Sequence, residues 1–90
     1  MKINTPRELG LAIQVRRGDL GLTQAVLAER AGVSRPWLSS VEAGKATAEF
    51  GRILRVLDAL GLGLRVELRE DQAPVFDLSE YLSEYDRREL

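Results

Sequence analysis

The apolar positions of this chain recur with a helical period from residue 5 to residue 60 and then switch to strict alternation. Leu9, Ala12 and Ile13, with Arg16, share one face of a segment that opens at Thr5-Pro6-Arg7-Glu8. Thr5 is a cap residue, Pro6 suits a first helical turn, and Glu8 stands three residues after the cap, where a capping box places it. Gly18 is the expected stop. A second helix is predicted after Thr23, from Gln24 through Arg30, with Ala25, Leu27 and Ala28 as its apolar positions and Gly32 in the turn behind it. A third begins near Ser34, turns Leu38 and Val41 inward and closes at Gly44. A fourth is predicted from Thr47, burying Phe50, Ile53, Leu54 and Leu57 and ending before Gly61.

From Leu62 the period becomes 2. In Leu62-Gly63-Leu64-Arg65-Val66-Glu67-Leu68-Arg69 each apolar residue alternates with glycine or a charge, the pattern of a half-buried strand. A lone strand leaves its backbone groups unpaired, and the simplest partner is the same strand of a second copy. Leu62, Leu64, Val66 and Leu68 are therefore the candidate dimer interface. Ala73 and Pro74 then open a tail in which Asp77-Leu78-Ser79-Glu80 forms another capping-box pattern. Val75, Leu78, Tyr81, Leu82 and Tyr85 would line one face of a two-turn helix, too short to hold by itself in water. The division expected is a body over residues 1–69 and a tail over 70–90, the tail either disordered or a short helix ordered against something else.

Charge sharpens that division. The whole chain of 90 residues carries a net −1, yet residues 1–69 hold eleven basic and seven acidic groups, a net +4, while residues 70–90 hold two basic and seven acidic, a net −5. A basic body suits a polyanion and an acidic tail suits a different partner, although +4 alone is a weak sign of nucleic acid. With neither cysteine nor histidine, the chain offers no disulfide framework, almost no zinc site and none of the usual nucleophile–base pairs. A carboxylate-based enzyme would need a larger pocket than a single domain of this length readily builds. No enzyme activity, metal or cofactor is expected. No apolar run approaches the roughly 20 residues of a membrane span, and Met1-Lys2-Ile3-Asn4 lacks an export-signal core, so a cytoplasmic location is expected.

The densest signal runs from Leu20 to Ser34 and on through Leu38-Ser39-Ser40-Val41-Glu42-Ala43-Gly44-Lys45. Two short helices joined by the glycine-containing turn Ala31-Gly32-Val33 make a helix-turn-helix, whose second helix can lie in the DNA major groove. Across residues 6–61 the pattern resembles the Cro/lambda-repressor-like helix-turn-helix domains, the XRE family. More narrowly, Thr5-Pro6-Arg7-Glu8-Leu9-Gly10 before the motif and Leu57-Asp58-Ala59-Leu60-Gly61-Leu62 before the strand resemble the HipB-type antitoxins. The resemblance implies an all-α, lambda-repressor-like bundle of four or five short helices with the C-terminal strand paired across a dimer. It also implies a repressor of its own operon that binds double-stranded DNA at an inverted repeat and pairs with a HipA-type kinase toxin. Two readings compete with this one: a stand-alone or phage-type repressor, or an antitoxin that only sequesters its partner.

Residue roles follow from the matched positions. By resemblance, Gln24 bonds a phosphate and braces the recognition helix, or else it is an ordinary exposed glutamine. Arg35 stands where side chains reach base edges, its guanidinium matching guanine O6 and N7; a phosphate contact is the alternative. Ser34, Ser39 and Ser40 are small donors that let the helix sit deep in the groove, with Ser34 equally suited to be the N-cap. Pro36 disfavours helical geometry at Arg35, so a helix starting one residue late with Arg35 as its cap is expected. Trp37 either lays its ring on the sugar-phosphate backbone or covers the edge of the core. Lys45 is a candidate phosphate contact. Arg16, Arg52 and Arg55 either reach the backbone or form solvated faces, the latter favoured for Arg52 and Arg55. Arg17 and Glu42 occupy positions that, in the resembled family, form a partly buried structural ion pair and not a DNA contact. In the tail, Phe76, Leu78, Tyr81, Leu82 and Tyr85 are the candidate partner-binding residues, offering an aromatic face beside acidic groups.

Overall fold

The computed structural model of the chain describes residues 1–69 together with Leu82 and Ser83. Within residues 1–69 four helices follow in order: α1 (Pro6–Asp19), α2 (Gln24–Ala31), α3 (Arg35–Glu42) and α4 (Phe50–Ala59). The first three start on hydroxyl caps. Thr5 accepts the N–H of Glu8 at 3.1 Å, Thr23 that of Val26 at 3.1 Å, and Ser34 that of Trp37 at 3.2 Å. Each such cap contributes about 1 kcal/mol by satisfying a donor the helix cannot. Glu8 reaches back past its cap residue to the N–H of Asn4 at 3.1 Å, so the box at this end is shifted by one residue.

All four helices end the same way. A glycine with positive φ follows the C-cap region (Gly21, Gly32, Gly44 and Gly61), and the residue after it donates its N–H five residues back: Leu22 to Arg17, Val33 to Ala28, Lys45 to Ser40 and Leu62 to Leu57. This termination needs a left-handed residue, which only glycine supplies without strain. It also aims the following side chain back at the helix. Leu22, Val33 and Leu62 use that aim to pack on the core, whereas Lys45 is exposed.

α3 packs against α1 and α2, and α2 also packs against α4. One fully buried residue from each helix, Ile13, Leu27, Leu38 and Val56, meets at the centre with Leu60. Three sequence expectations need correction. α1 continues through Gly18 to Asp19. The segment from Thr47 lies outside α4, which starts at Phe50 without a side-chain cap. The inner face of α4 is Ile53, Val56, Leu57 and Leu60; Phe50 lies beyond the edge of the core at 60% exposure, and Leu54 flanks it at 41%. A spacing of three or four residues identifies a stripe, but where α2 crosses α4 decides which turns of the stripe are covered. Ala25, on the outer side of α2, is likewise exposed.

No strand forms among the described residues. Residues 62–69 leave α4 without a ladder, as a segment whose expected pairing is between two copies would within one. Leu62 is half-buried on its own core, while Leu64, Val66 and Leu68 are exposed. Beside them, Ile3, Leu9, Ala12, Val15, Leu57 and Leu62 line an open apolar groove of about 310 Å³. Among the described residues, no helix is long and apolar enough to cross a membrane, and no group of acidic side chains is placed to hold a metal ion.

Candidate nucleic-acid interface

The turn between α2 and α3 is closed by Gly32 at φ 69°, and Ser34 caps the helix that follows. With Ser34 at the cap, Arg35 is the first residue of α3 and Pro36 the second. The late start expected from Pro36 therefore does not occur. A proline in the first turn lacks an N–H that the helix would leave unbonded anyway, so the capped start survives it.

α3 turns Leu38, Val41 and Glu42 inward. Arg35, Ser39 and Ala43, spaced by four residues, lie on its exposed side with Pro36. Small side chains at 39 and 43 leave that side low, and Arg35 rises at its N-terminal end. Lys45 stands exposed just beyond the other end, its backbone held by the bond from its N–H to the carbonyl of Ser40 at 3.0 Å. Arg35 and Lys45 thus place a cation at each end of a shallow helical surface.

Behind that surface the polar contacts converge on Glu42, only 4% exposed. Arg17 grips its carboxylate with two bonds, Nε to Oε2 at 3.0 Å and Nη2 to Oε1 at 2.9 Å. The remaining Arg17 amino group donates to the carbonyl of Leu22 at 3.0 Å. Gln24 donates its side-chain amide to Glu42 Oε1 at 3.2 Å, and Gln14 donates to the Glu42 carbonyl at 2.7 Å. A paired and fully bonded buried carboxylate is tolerable; an unpaired one would be costly.

Residues 8–70 match the family described as a helix-turn-helix domain. The uncharacterised HTH-type transcriptional regulator y4mF of Sinorhizobium fredii (strain NBRC 101917 / NGR234) is 37% identical over 65 residues, covering 72% of this chain and 86% of the relative. The chain belongs to the helix-turn-helix family. Solved structures with the same fold include a HipB variant in an O2 20mer complex, at TM-score 0.72 and 26% identity over 78% of this chain and 97% of the other. HipB in a HipA-HipB-O2-O3 complex superimposes with TM-score 0.72 at 24% identity, covering 78% and 99%.

In this helix-turn-helix domain the sequence-predicted residues fall in different places. Arg35, Ser39 and Lys45 occupy the exposed side of α3 and its ends; Ser34 adjoins them, its hydroxyl oxygen accepting the capping bond, and the half-buried Gln24 stands at the start of α2, bonded to Glu42. Trp37 and Ser40 are half-buried instead. Trp37 packs against the core with the Arg52 guanidinium 5.9 Å over its ring, and the Ser40 hydroxyl donates to the Trp37 carbonyl at 2.8 Å. Arg16 and Arg52 have protein partners: Arg16 Nε donates to the Leu60 carbonyl at 3.0 Å at the end of α4, and Arg52 pairs with Glu49 at 2.7 Å. Arg55 is exposed. Of the tail residues, Leu82 is exposed; Phe76, Leu78, Tyr81 and Tyr85 lie outside the described residues.

The helix-turn-helix also relies on two residues that periodicity does not single out. A Cβ on Gly10 would stand 2.5 Å from the Val41 carbonyl oxygen and 2.6 Å from that of Glu42, so α1 crosses the end of α3 in backbone contact. Gln14, one turn along α1, bonds the same Glu42 carbonyl. The available signal is the i, i+4, i+7 spacing of Gly10, Gln14 and Arg17 on one helix face.

Proposed function

We propose that this chain is a sequence-specific DNA-binding repressor that acts as a homodimer and serves as the antitoxin of a HipA-type kinase toxin, autoregulating their operon. The observation that carries the DNA-binding part is the exposed side of α3. Arg35 opens it, Ser39 keeps it low and Lys45 closes it, while Gln24 at the start of α2 is tied to the same helix through Glu42. On this reading Arg35 and the serines read base edges, while Gln24 and Lys45 hold phosphates and set the register.

The antitoxin part is supported by likeness to HipB, a protein solved in complex with HipA and with 20mers. It is supported also by the −5 charge and apolar content of residues 70–90, which suit a protein partner better than a duplex. A capped α3 that begins at Arg35 despite Pro36 weighs against an antitoxin that only sequesters.

Selection of duplexes from a random pool tests the reading. The expected product is an inverted repeat with half-sites about one helical turn, roughly 34–36 Å, apart. Recovery of no preferred sequence would defeat it. Co-expression with a HipA-type kinase tests the pairing, through a stable complex and relief of the kinase's toxicity; a kinase left unbound and toxic would leave only the repressor.

A further inference from the structure

Glu42 collects more than an ion pair requires. Arg17 alone would neutralise it, yet its carboxylate also takes Gln24, the first residue of α2, and its carbonyl takes Gln14. Gln24 is the side chain read as a phosphate contact, so the buried node reaches a side chain with a candidate binding role.

A carboxylate only accepts hydrogen bonds, and an amide has a donating nitrogen and an accepting oxygen. Glu42 therefore selects which end of the Gln24 amide turns toward it: the nitrogen, at 3.2 Å. One N–H of that nitrogen is spent on Glu42 and its second is left for another acceptor. A phosphate oxygen is such an acceptor. A bare carboxylate near a phosphate backbone would repel it, and the two-pronged contact from Arg17 removes that repulsion. Holding the rotamer of Gln24 during folding also means that less freedom is lost at binding.

From this we infer that Glu42, neutralised by Arg17, is a positioning residue for the DNA backbone contact, presenting the Gln24 amide nitrogen to a phosphate. The inference rests on the DNA-binding reading. It assigns to a buried structural pair a part in affinity that acts wholly through Gln24.

A mutant cycle on the full chain tests it, using a random-sequence 20-base-pair duplex at several salt concentrations. One arm is Gln24→Ala. The other is Arg17→Met with Glu42→Met, because replacing both members of a buried pair with apolar residues of similar size tends to preserve the fold. Each arm should weaken binding roughly 3- to 10-fold, and the triple variant should be no weaker than Gln24→Ala alone. Neither arm should change the slope of log affinity against log salt, because the amide is neutral and the Arg17–Glu42 pair carries no net charge, so no counterion release is lost. If the Met pair weakens binding equally in the Gln24→Ala background, the pair is structural only and the proposal fails. A wild type that binds no duplex at any salt defeats the DNA-binding reading itself. Should the Met pair fail to fold, the wild-type side-chain amide resonances of Gln24 decide. One proton shifted downfield and slowly exchanging supports the node; resonances like those of an exposed glutamine overturn it.

Discussion

Arg35 and Lys45 stand at opposite ends of α3, and the backbone places them for different work. Arg35 is the first residue of a capped helix, the end that our reading turns toward base edges. Lys45 follows Gly44 in the closing turn, outside the helix, where our reading makes it a phosphate contact. Arg35→Ala should therefore cost about 1–3 kcal/mol on a selected site and relax base choice there. Lys45→Ala should weaken selected and random duplexes alike and reduce the salt slope by about 0.9. Titration of both duplexes across salt checks the pair; equal losses for Arg35→Ala on selected and random DNA would make Arg35 a phosphate contact. Trp37 contributes differently, since half of it is already spent on the core and Arg52 covers its ring.

Among the helices, the crossing of α1 over α3 is the contact with least slack. Alanine favours a helix over glycine by about 1 kcal/mol, so at an open helical position the exchange stabilises. Gly18, where an added methyl group would meet nothing within 4 Å, is such a position. At Gly10 the same methyl group would stand 2.5–2.6 Å from two backbone carbonyl oxygens, and α3 would have to move. Gly18→Ala should raise stability by up to about 1 kcal/mol, whereas Gly10→Ala should lower it by about 1–3 kcal/mol through overpacking. Urea denaturation measures both. A Gly10→Ala variant as stable as the wild type would mean that α1 and α3 can part without loss, and that the Glu42 node is not held by their contact.

For the molecule as a whole, the segments that matter are residues 62–69 and the tail behind them. Leu64 at 54% exposure lines the apolar groove of α1 and the N-terminal residues, and Val66 at 73% stands exposed two residues on, in a segment that forms no ladder among the described residues. Our reading is that an antiparallel ribbon with a second copy covers them. Val66→Pro removes a strand donor and should produce monomers with much weaker operator affinity. Sedimentation checks this, and a variant that stays dimeric would place the interface elsewhere. Deletion of residues 74–90 should leave folding and operator binding nearly intact and weaken toxin binding tenfold or more, about 1.4 kcal/mol. A truncated chain that melts well below the full-length one without any partner would instead make the tail part of the fold.

What the residues determined alone is local. Hydroxyls at 5, 23 and 34 and glycines at 32, 44 and 61 mark helix boundaries in the sequence itself, because capping and left-handed turns depend on atoms within a few positions of each other; for α1 the sequence pointed to Gly18 where Gly21 makes the turn. The helix-turn-helix was legible for that reason, as was the contrast between a basic body and an acidic tail. Some misses were local, at Gly18, Thr47 and Pro36; in the others the deciding contacts came from far along the chain. Only the packing of α2 on α4 shows that Phe50 and Leu54 lie outside the core. Only the approach of α1 to the end of α3 turns Gly10 and Gln14 into partners of Glu42, 28 positions beyond Gln14. Arg16 on Leu60 spans 44 positions. Periodicity records which face of a helix is apolar; how far that face is covered, and which polar group finds which, depends on how separate helices cross.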